Sequence, residues 1–138
     1  MSEPLTLHVP NTIDAIAPAN EAAETWLAKQ DASLDATFFT CLAIEEIVTN
    51  CIKYGYDDSD EHTILIVLSV ADARLTIVVI DDGHAFDPLA EAPPDLSLAL
   101  EDRQTGGLGI HLLRKLSDDI SYERINGTNR LTLSKRMS

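Results

Sequence analysis

Glu46 and Asn50 stand four residues apart in the stretch AIEEIVTNCIKY, residues 43–54. Helical residues four apart lie above one another on one face, so Leu42, Glu46 and Asn50 form a single row, with Ile44, Ile47, Val48 and Cys51 supplying apolar surface beside it. A carboxylate and a carboxamide stacked this way suit an oxygen-ligated Mg²⁺ with a base next to it. Mg²⁺ takes few protein ligands and leaves its other positions to water and phosphates. The same pair also fits the solvated stripe of an ordinary helix, so its meaning depends on the rest of the chain.

Two further groups have chemistry to offer. The apolar run RLTIVVI, residues 74–80, ends in Asp81-Asp82-Gly83, which delivers a carboxylate to the mouth of a buried strand where glycine lets the backbone turn. A ligand contact and a plain acidic turn both fit that motif. Thr105-Gly106-Gly107-Leu108-Gly109 opens an amphipathic helix at 110–117 carrying Leu112, Leu113 and Leu116. Glycines let backbone come close to a phosphate, and a helix start offers free N–H groups and a positive dipole end. A simple hinge would use the same glycines.

The elements that must position these groups follow from periodicity. Leu5, Leu7 and Val9 alternate with polar residues, predicting a first strand at 4–10 on a sheet edge. Asn11 is placed to cap a helix over 12–30 in which Pro18 marks a kink or break and Trp26 anchors the core. A turn at 31–33 leads to the helix of Glu46 and Asn50, about 35–54, ended by Gly55 and an acidic loop read as solvated surface. TILIVLSV at 63–70 and RLTIVVI form a hairpin of buried strands across ADA. Residues 89–103 form a loop long enough to be a lid or binding loop. The last strands, 119–124 and 131–135, flank the turn signal NGTN at 126–129, with Thr128 opening the final strand.

Composition narrows the function classes. With 138 residues, 45% hydrophobic and 24% charged, the chain fits one soluble domain with its own core, spanning 1–138. A formal net charge of −13, from 10 Lys+Arg against 23 Asp+Glu, argues against nucleic acid or an anionic membrane as partner. No segment reads as a signal or a membrane span, which predicts a cytoplasmic protein. Cys41 and Cys51 lie ten residues apart on one predicted helix, about 15 Å along its axis. They cannot bridge each other, and they read as packing thiols. The four histidines are scattered singly and read as surface or packing residues, not ligands.

In this order, E-x-x-x-N on a helix, D-x-G after a strand and G-x-G before a helix resemble the Bergerat-fold ATPases. Within that superfamily EEIVTNCIKYGY, VVIDDGHAFDP, GGLGIHLLRKLSDDISY and NGTNRLTLSK are similar to the small anti-sigma-factor serine kinases of the RsbW and SpoIIAB type. The resemblance implies ATP and Mg²⁺ as cofactors. Asn50 matches the Mg²⁺-binding asparagine and Glu46 the general base toward the substrate serine. Asp81 matches the aspartate that takes the adenine amino group, Gly83 the glycine near the base, and Thr128 a threonine supporting the adenine contact. Gly107 and Gly109 match the glycines beneath the phosphates, the helix start at Leu108 would hold them, and Thr105 and Gly106 would lie in the hinge of a lid over about 87–106. Ala85 replaces the second glycine of the usual D-x-G-x-G, and the arginine nearest the G-x-G, Arg103, lies further upstream than in relatives that place one on the terminal phosphate. Helical phase relative to Asn50 selects Glu46 over Glu45.

The resemblance implies an α/β two-layer sandwich, a mostly antiparallel sheet of about five strands with three helices on one face. It implies a serine kinase that phosphorylates a STAS-type antagonist and sequesters a sigma factor or other target, often as a homodimer. The lack of a phosphoacceptor-histidine helix before the domain argues against a histidine kinase. A nucleotide-dependent binding module without kinase activity is the alternative, and a structural partner protein using no nucleotide is a third reading that Asp81, Gly83 and the G-x-G stretch oppose.

Overall fold

The two β-branched runs pair as an antiparallel hairpin, β2 (Thr63–Ala71) and β3 (Arg74–Asp81), within a five-stranded sheet. The structure is a computed structural model and describes residues 3–90 and 107–137. β1 (Leu5–Pro10) lies on the outer edge of β2, while β4 (Asp119–Ile125) and β5 (Thr128–Arg136) complete the order β1-β2-β3-β5-β4, antiparallel throughout. Both tight hairpins place their two central residues at positive φ, Asp72 and Ala73 in one, Asn126 and Gly127 in the other. Such turns match the right-handed twist of the strands they join.

Period-two alternation sends Ile64, Ile66, Leu68, Leu75, Ile77, Val79, Leu131 and Leu133 to one face, where all are buried. Three helices among the described residues cover that face: α1 (Ile16–Lys29), α2 (Leu34–Tyr54) and α3 (Gly107–Leu116). They contribute Ala23 and Leu27, then Phe39, Ile44, Ile47 and Val48, then Ile110 and Leu113. Each large aliphatic side chain buried this way stabilises the fold by about 1.5–3 kcal/mol. Leu65, Val67, Val78 and Ile80 alternate onto the opposite face and stay half-buried. The two-layer arrangement is the one expected.

Three local expectations are corrected. Asn11 caps no helix: its carboxamide oxygen accepts from the His62 N–H at 2.9 Å and its own N–H donates to His62 O at 3.0 Å, tying the end of β1 to the start of β2. Pro18 causes no break, because a 3-10 turn (Ile13–Ala15) precedes α1 and Pro18 falls in the first turn, where no N–H partner is needed. α3 starts at Gly107, so Gly107 and Gly109 belong to the helix and not to a loop before it. Trp26 packs partly buried against the core, its indole N–H donating to Glu3 O at 3.2 Å.

α2 carries the row that matters. Ser33 Oγ accepts from Ala36 N at 3.0 Å and caps its start, and Gly55 N donates to Cys51 O at 2.9 Å at its end. Its buried residues recur at helical spacing from Ala36 through Cys51. That spacing fixes the rotation of the helix against the sheet and thereby turns Asn50 inward.

Candidate functional site

One cleft gathers Asn50 from α2, Asp81 from the end of β3, Ile110 from α3, and Tyr122 and Asn129 from the terminal hairpin. Asn50, Asp81 and Asn129 are only 7%, 8% and 6% exposed, so polar groups have been drawn into a mainly apolar wall. A buried polar group is tolerated when it is hydrogen-bonded or reserved for a ligand.

Asp81 is held from three sides. Its Oδ1 accepts from Gly83 N at 2.9 Å and from Asn129 Nδ2 at 3.0 Å, while the Cys51 thiol donates to Oδ2 at 3.4 Å. A thiol is a weak donor. Oδ2 therefore retains strong acceptor capacity at the cleft wall, suited to an N–H of a ligand. Burial first, then the Asp81 charge, pushes the Cys51 thiol well above its usual pKa, which keeps it protonated as a donor.

Gly83 owes its place to close approach. It is not at positive φ. A Cβ at this position would lie 2.5 Å from Gly55 O, the same oxygen that accepts from His84 N at 2.8 Å. The mouth of β3 is thus joined directly to the end of α2. The expected sharp turn is replaced by a backbone contact that only glycine allows.

One turn before Asn50 on α2, Glu46 meets α3. A Cβ on Gly109 would stand 2.0 Å from Glu46 Cδ and 2.1 Å from Oε2. The carboxylate thus fills the space that a side chain at 109 would take, beside the first turn of α3. Desolvation by burial, then the neighbouring Glu45, raises the Glu46 pKa, with Lys53 pulling the other way. A raised carboxylate pKa makes a stronger base near neutral pH. Gly109→Ala should displace either Glu46 or the helix start. The expected result is at least a tenfold loss of any activity that needs both, with a lowered melting temperature, measured by a steady-state assay and a thermal melt.

The sequence-derived site residues separate into three groups. Asn50 and Asp81 line one cleft, Gly83 N bonds Asp81, and Glu46 lies against Gly109. Gly107 and Leu108 are backbone of the first turn of α3, whereas Thr105, Gly106 and Arg103, with most of the expected lid, lie outside the described residues. Thr128 stands apart: its hydroxyl donates to Ile125 O at 2.7 Å within the terminal turn, and the residue in register with Asp81 is Asn129. Asn129, one residue after Thr128, is the residue that bonds Asp81.

Asn129, Tyr122 and Cys51 are the residues that sequence reasoning missed. A usable signal existed for one of them. Once Asp81 closes β3 and NGTN turns β4 into β5, antiparallel register puts an inward-facing residue of β5 beside Asp81. The rim was also simplified, since the acidic loop holds two of the histidines. Asp58 pairs with His62 at 2.7 Å, Asp57 with His84 at 2.9 Å, and the His62 ring stacks on Tyr56 at 3.9 Å. Of the two thiols read as packing residues, Cys51 touches the site. Cys41 is half-buried and donates to Glu24 Oε1 at 3.4 Å, its pKa pushed up to about 11 by burial and by Glu24.

The donor set suits a nucleotide and a single Mg²⁺. Among the described residues no group of three or more His, Cys, Asp or Glu side chains could hold a metal ion. A cation beside Asn50 would therefore draw on that carboxamide, water and phosphate oxygens, which is the ligand economy Mg²⁺ favours. Gly109 immediately precedes Ile110 of the cleft lining, so its contact with Glu46 adjoins the cleft that Asp81 lines.

Comparison with known proteins gives the family of the chain. The family model of the histidine kinase-like ATPase domain matches residues 9–135. The chain is 30% identical to the serine/threonine-protein kinase BtrW of Bordetella bronchiseptica over 97 residues, 70% of this chain and 68% of that protein. It is 27% identical to an anti-sigma F factor of Clostridium beijerinckii over 112 residues, 80% of this chain and 78% of the other. Among solved structures, the RsbU and RsbW domains of Rv1364c from Mycobacterium tuberculosis superpose with a TM-score of 0.71 at 22% identity, covering 99% of this chain. The match spans 33% of that longer chain and speaks to the fold alone.

Proposed function

The chain belongs to the histidine kinase-like ATPase domain family, and from that membership we propose that it is an ATP-dependent serine protein kinase and anti-sigma-type regulator that phosphorylates a STAS-domain antagonist. The observation that carries this reading is Glu46 seated against Gly109, one turn along α2 from Asn50, which lines a cleft together with Asp81. That arrangement supports Glu46 as a base toward an entering phosphoryl acceptor and Asp81 as an acceptor for an adenine amine. The names of the relatives, a serine/threonine-protein kinase and an anti-sigma factor, support the same class.

In this reading Asp81 orients the adenine, and Asn50 would hold Mg²⁺. The first N–H groups of α3, from Gly107, Leu108 and Gly109, receive phosphate oxygens although the chain as a whole carries −13. A Mg²⁺ held there would supply positive charge to offset the negative charge developing on the transferred phosphoryl group. Glu46 takes the proton from the serine hydroxyl as the serine oxygen bonds the γ-phosphorus and the bond from that phosphorus to the bridging oxygen breaks, ADP leaving with that oxygen. The reading places one domain in the cytoplasm, with a sigma factor or another regulator as the sequestered target and no nucleic acid or membrane partner. Among the described residues no helix is long and apolar enough to cross a membrane. A homodimer belongs to the reading, and the sheet face bearing Leu65, Val67, Val78 and Ile80 offers apolar area for it.

The partner-switching part is tested by size-exclusion chromatography with the STAS-type protein encoded nearest this gene. The unmodified antagonist should co-elute with this chain in the presence of nucleotide, and prior incubation with ATP·Mg²⁺ should release it. Co-elution that is indifferent to ATP would contradict the switch.

A further inference from the structure

Asn129 uses all of its hydrogen-bonding capacity at one point of the fold. Its Nδ2 donates to Asp81 Oδ1 at 3.0 Å and to His84 O at 2.7 Å, while its Oδ1 accepts from the Tyr122 hydroxyl and from Phe86 N at 3.4 Å. Two donors and two acceptors are all a carboxamide has. The orientation of the amide is therefore set by its partners: the Tyr122 hydroxyl and the Phe86 N–H claim the oxygen, so the NH₂ must face Asp81 and His84 O. Asp81 Oδ1 receives this NH₂ together with Gly83 N. Only Oδ2, bonded to the weakly donating Cys51 thiol, keeps a strong acceptor site.

We propose that Asn129, oriented by Tyr122, is the positioning residue that makes Asp81 read the amino group of a 6-aminopurine, by occupying Oδ1 and leaving Oδ2 as the carboxylate's open strong acceptor. The inference rests on the nucleotide reading above and goes beyond it in assigning how base selectivity is set. The same carboxamide ties the base end of the cleft to the strand-following backbone at 84–86, whose Phe86 ring stacks on Tyr54 at 5.8 Å. Base recognition and the position of this segment are thus set by one side chain. A threonine cannot replace it, because one hydroxyl proton cannot serve Asp81 and His84 O together.

The test compares ATP with purine riboside triphosphate, which lacks only the amino group, by calorimetry with Mg²⁺ on the full chain. Wild type should bind ATP about 10- to 100-fold more tightly than the analogue, the span expected for a hydrogen bond to a charged acceptor. Asn129→Ala should lose most of that ratio by weakening ATP while moving the analogue by less than about threefold. Tyr122→Phe, which removes one hydroxyl and keeps the ring, should lower the ratio by about threefold and covers the case in which Asn129→Ala fails to fold. General loosening of the cleft would weaken both nucleotides alike and leave the ratio unchanged. A wild-type ratio in folded Asn129→Ala, or in Tyr122→Phe if the former does not fold, overturns the inference while leaving nucleotide binding intact. Wild type binding neither nucleotide would instead overturn the nucleotide reading on which it stands.

Discussion

Asp81→Asn should abolish measurable nucleotide binding, a loss of about 100-fold or more, while the variant stays folded. The carboxylate accepts on both oxygens, from Gly83 N, Asn129 Nδ2 and the Cys51 thiol. An asparagine offers one oxygen and one NH₂. With its oxygen toward Gly83 N and Asn129, its NH₂ would face the incoming amine, donor against donor. Reversed, it would oppose the Asn129 NH₂ and leave buried groups unpaired. The near-isosteric change alters little of the surrounding packing, so the expected signature is a folded protein by circular dichroism with no heat of ATP binding by calorimetry.

Glu46→Gln should spare nucleotide affinity to within about threefold and reduce phosphoryl transfer by about 10²- to 10⁴-fold, the usual range for a positioned general base. The glutamine fills the space against Gly109 as the glutamate does, so the cleft keeps its shape. Stability should move the other way. Burial and Glu45 raise the Glu46 pKa, so the folded chain holds that proton more tightly than the unfolded chain. The stabilisation from this group is then fully present below the ordinary glutamate pKa and is lost as pH rises through the raised folded value. The uncharged glutamine escapes that loss, and its melting temperature near pH 7.5 should equal or exceed that of wild type. For transfer by wild type, the rate should fall as pH drops through the Glu46 pKa, with the acid limb above the ordinary glutamate range. A pH profile at saturating ATP measures this.

Local pattern made much of the molecule legible. The β-branched runs and the NG turn fixed β2, β3, β4 and β5 because strand alternation and turn chemistry are written in neighbouring residues. The four-residue spacing of Glu46 and Asn50 survived because a helix preserves phase along its length. What escaped depended on contacts distant in sequence. Asn129 meets Asp81 across 48 positions and Cys51 meets it across 30, pairings that only sheet register and the rotation of α2 decide. Asn11 read as a cap because its local setting allows one, yet His62, 51 residues away, claims its oxygen. Gly83 was recognised for the wrong physical reason, since the backbone of Gly55 that excludes a side chain there comes from another element.

The measurement that most directly tests this account is transfer of labelled γ-phosphate from ATP·Mg²⁺ to the STAS-type protein encoded nearest this gene, with Glu46→Gln run in parallel. The account predicts a phosphoserine on that protein with the wild-type chain and a loss of at least 100-fold with the variant, at unchanged ATP occupancy. Transfer by the variant at the wild-type rate would contradict Glu46 as the base. ATP binding with no transfer would contradict the kinase and leave a nucleotide-dependent binding module in its place.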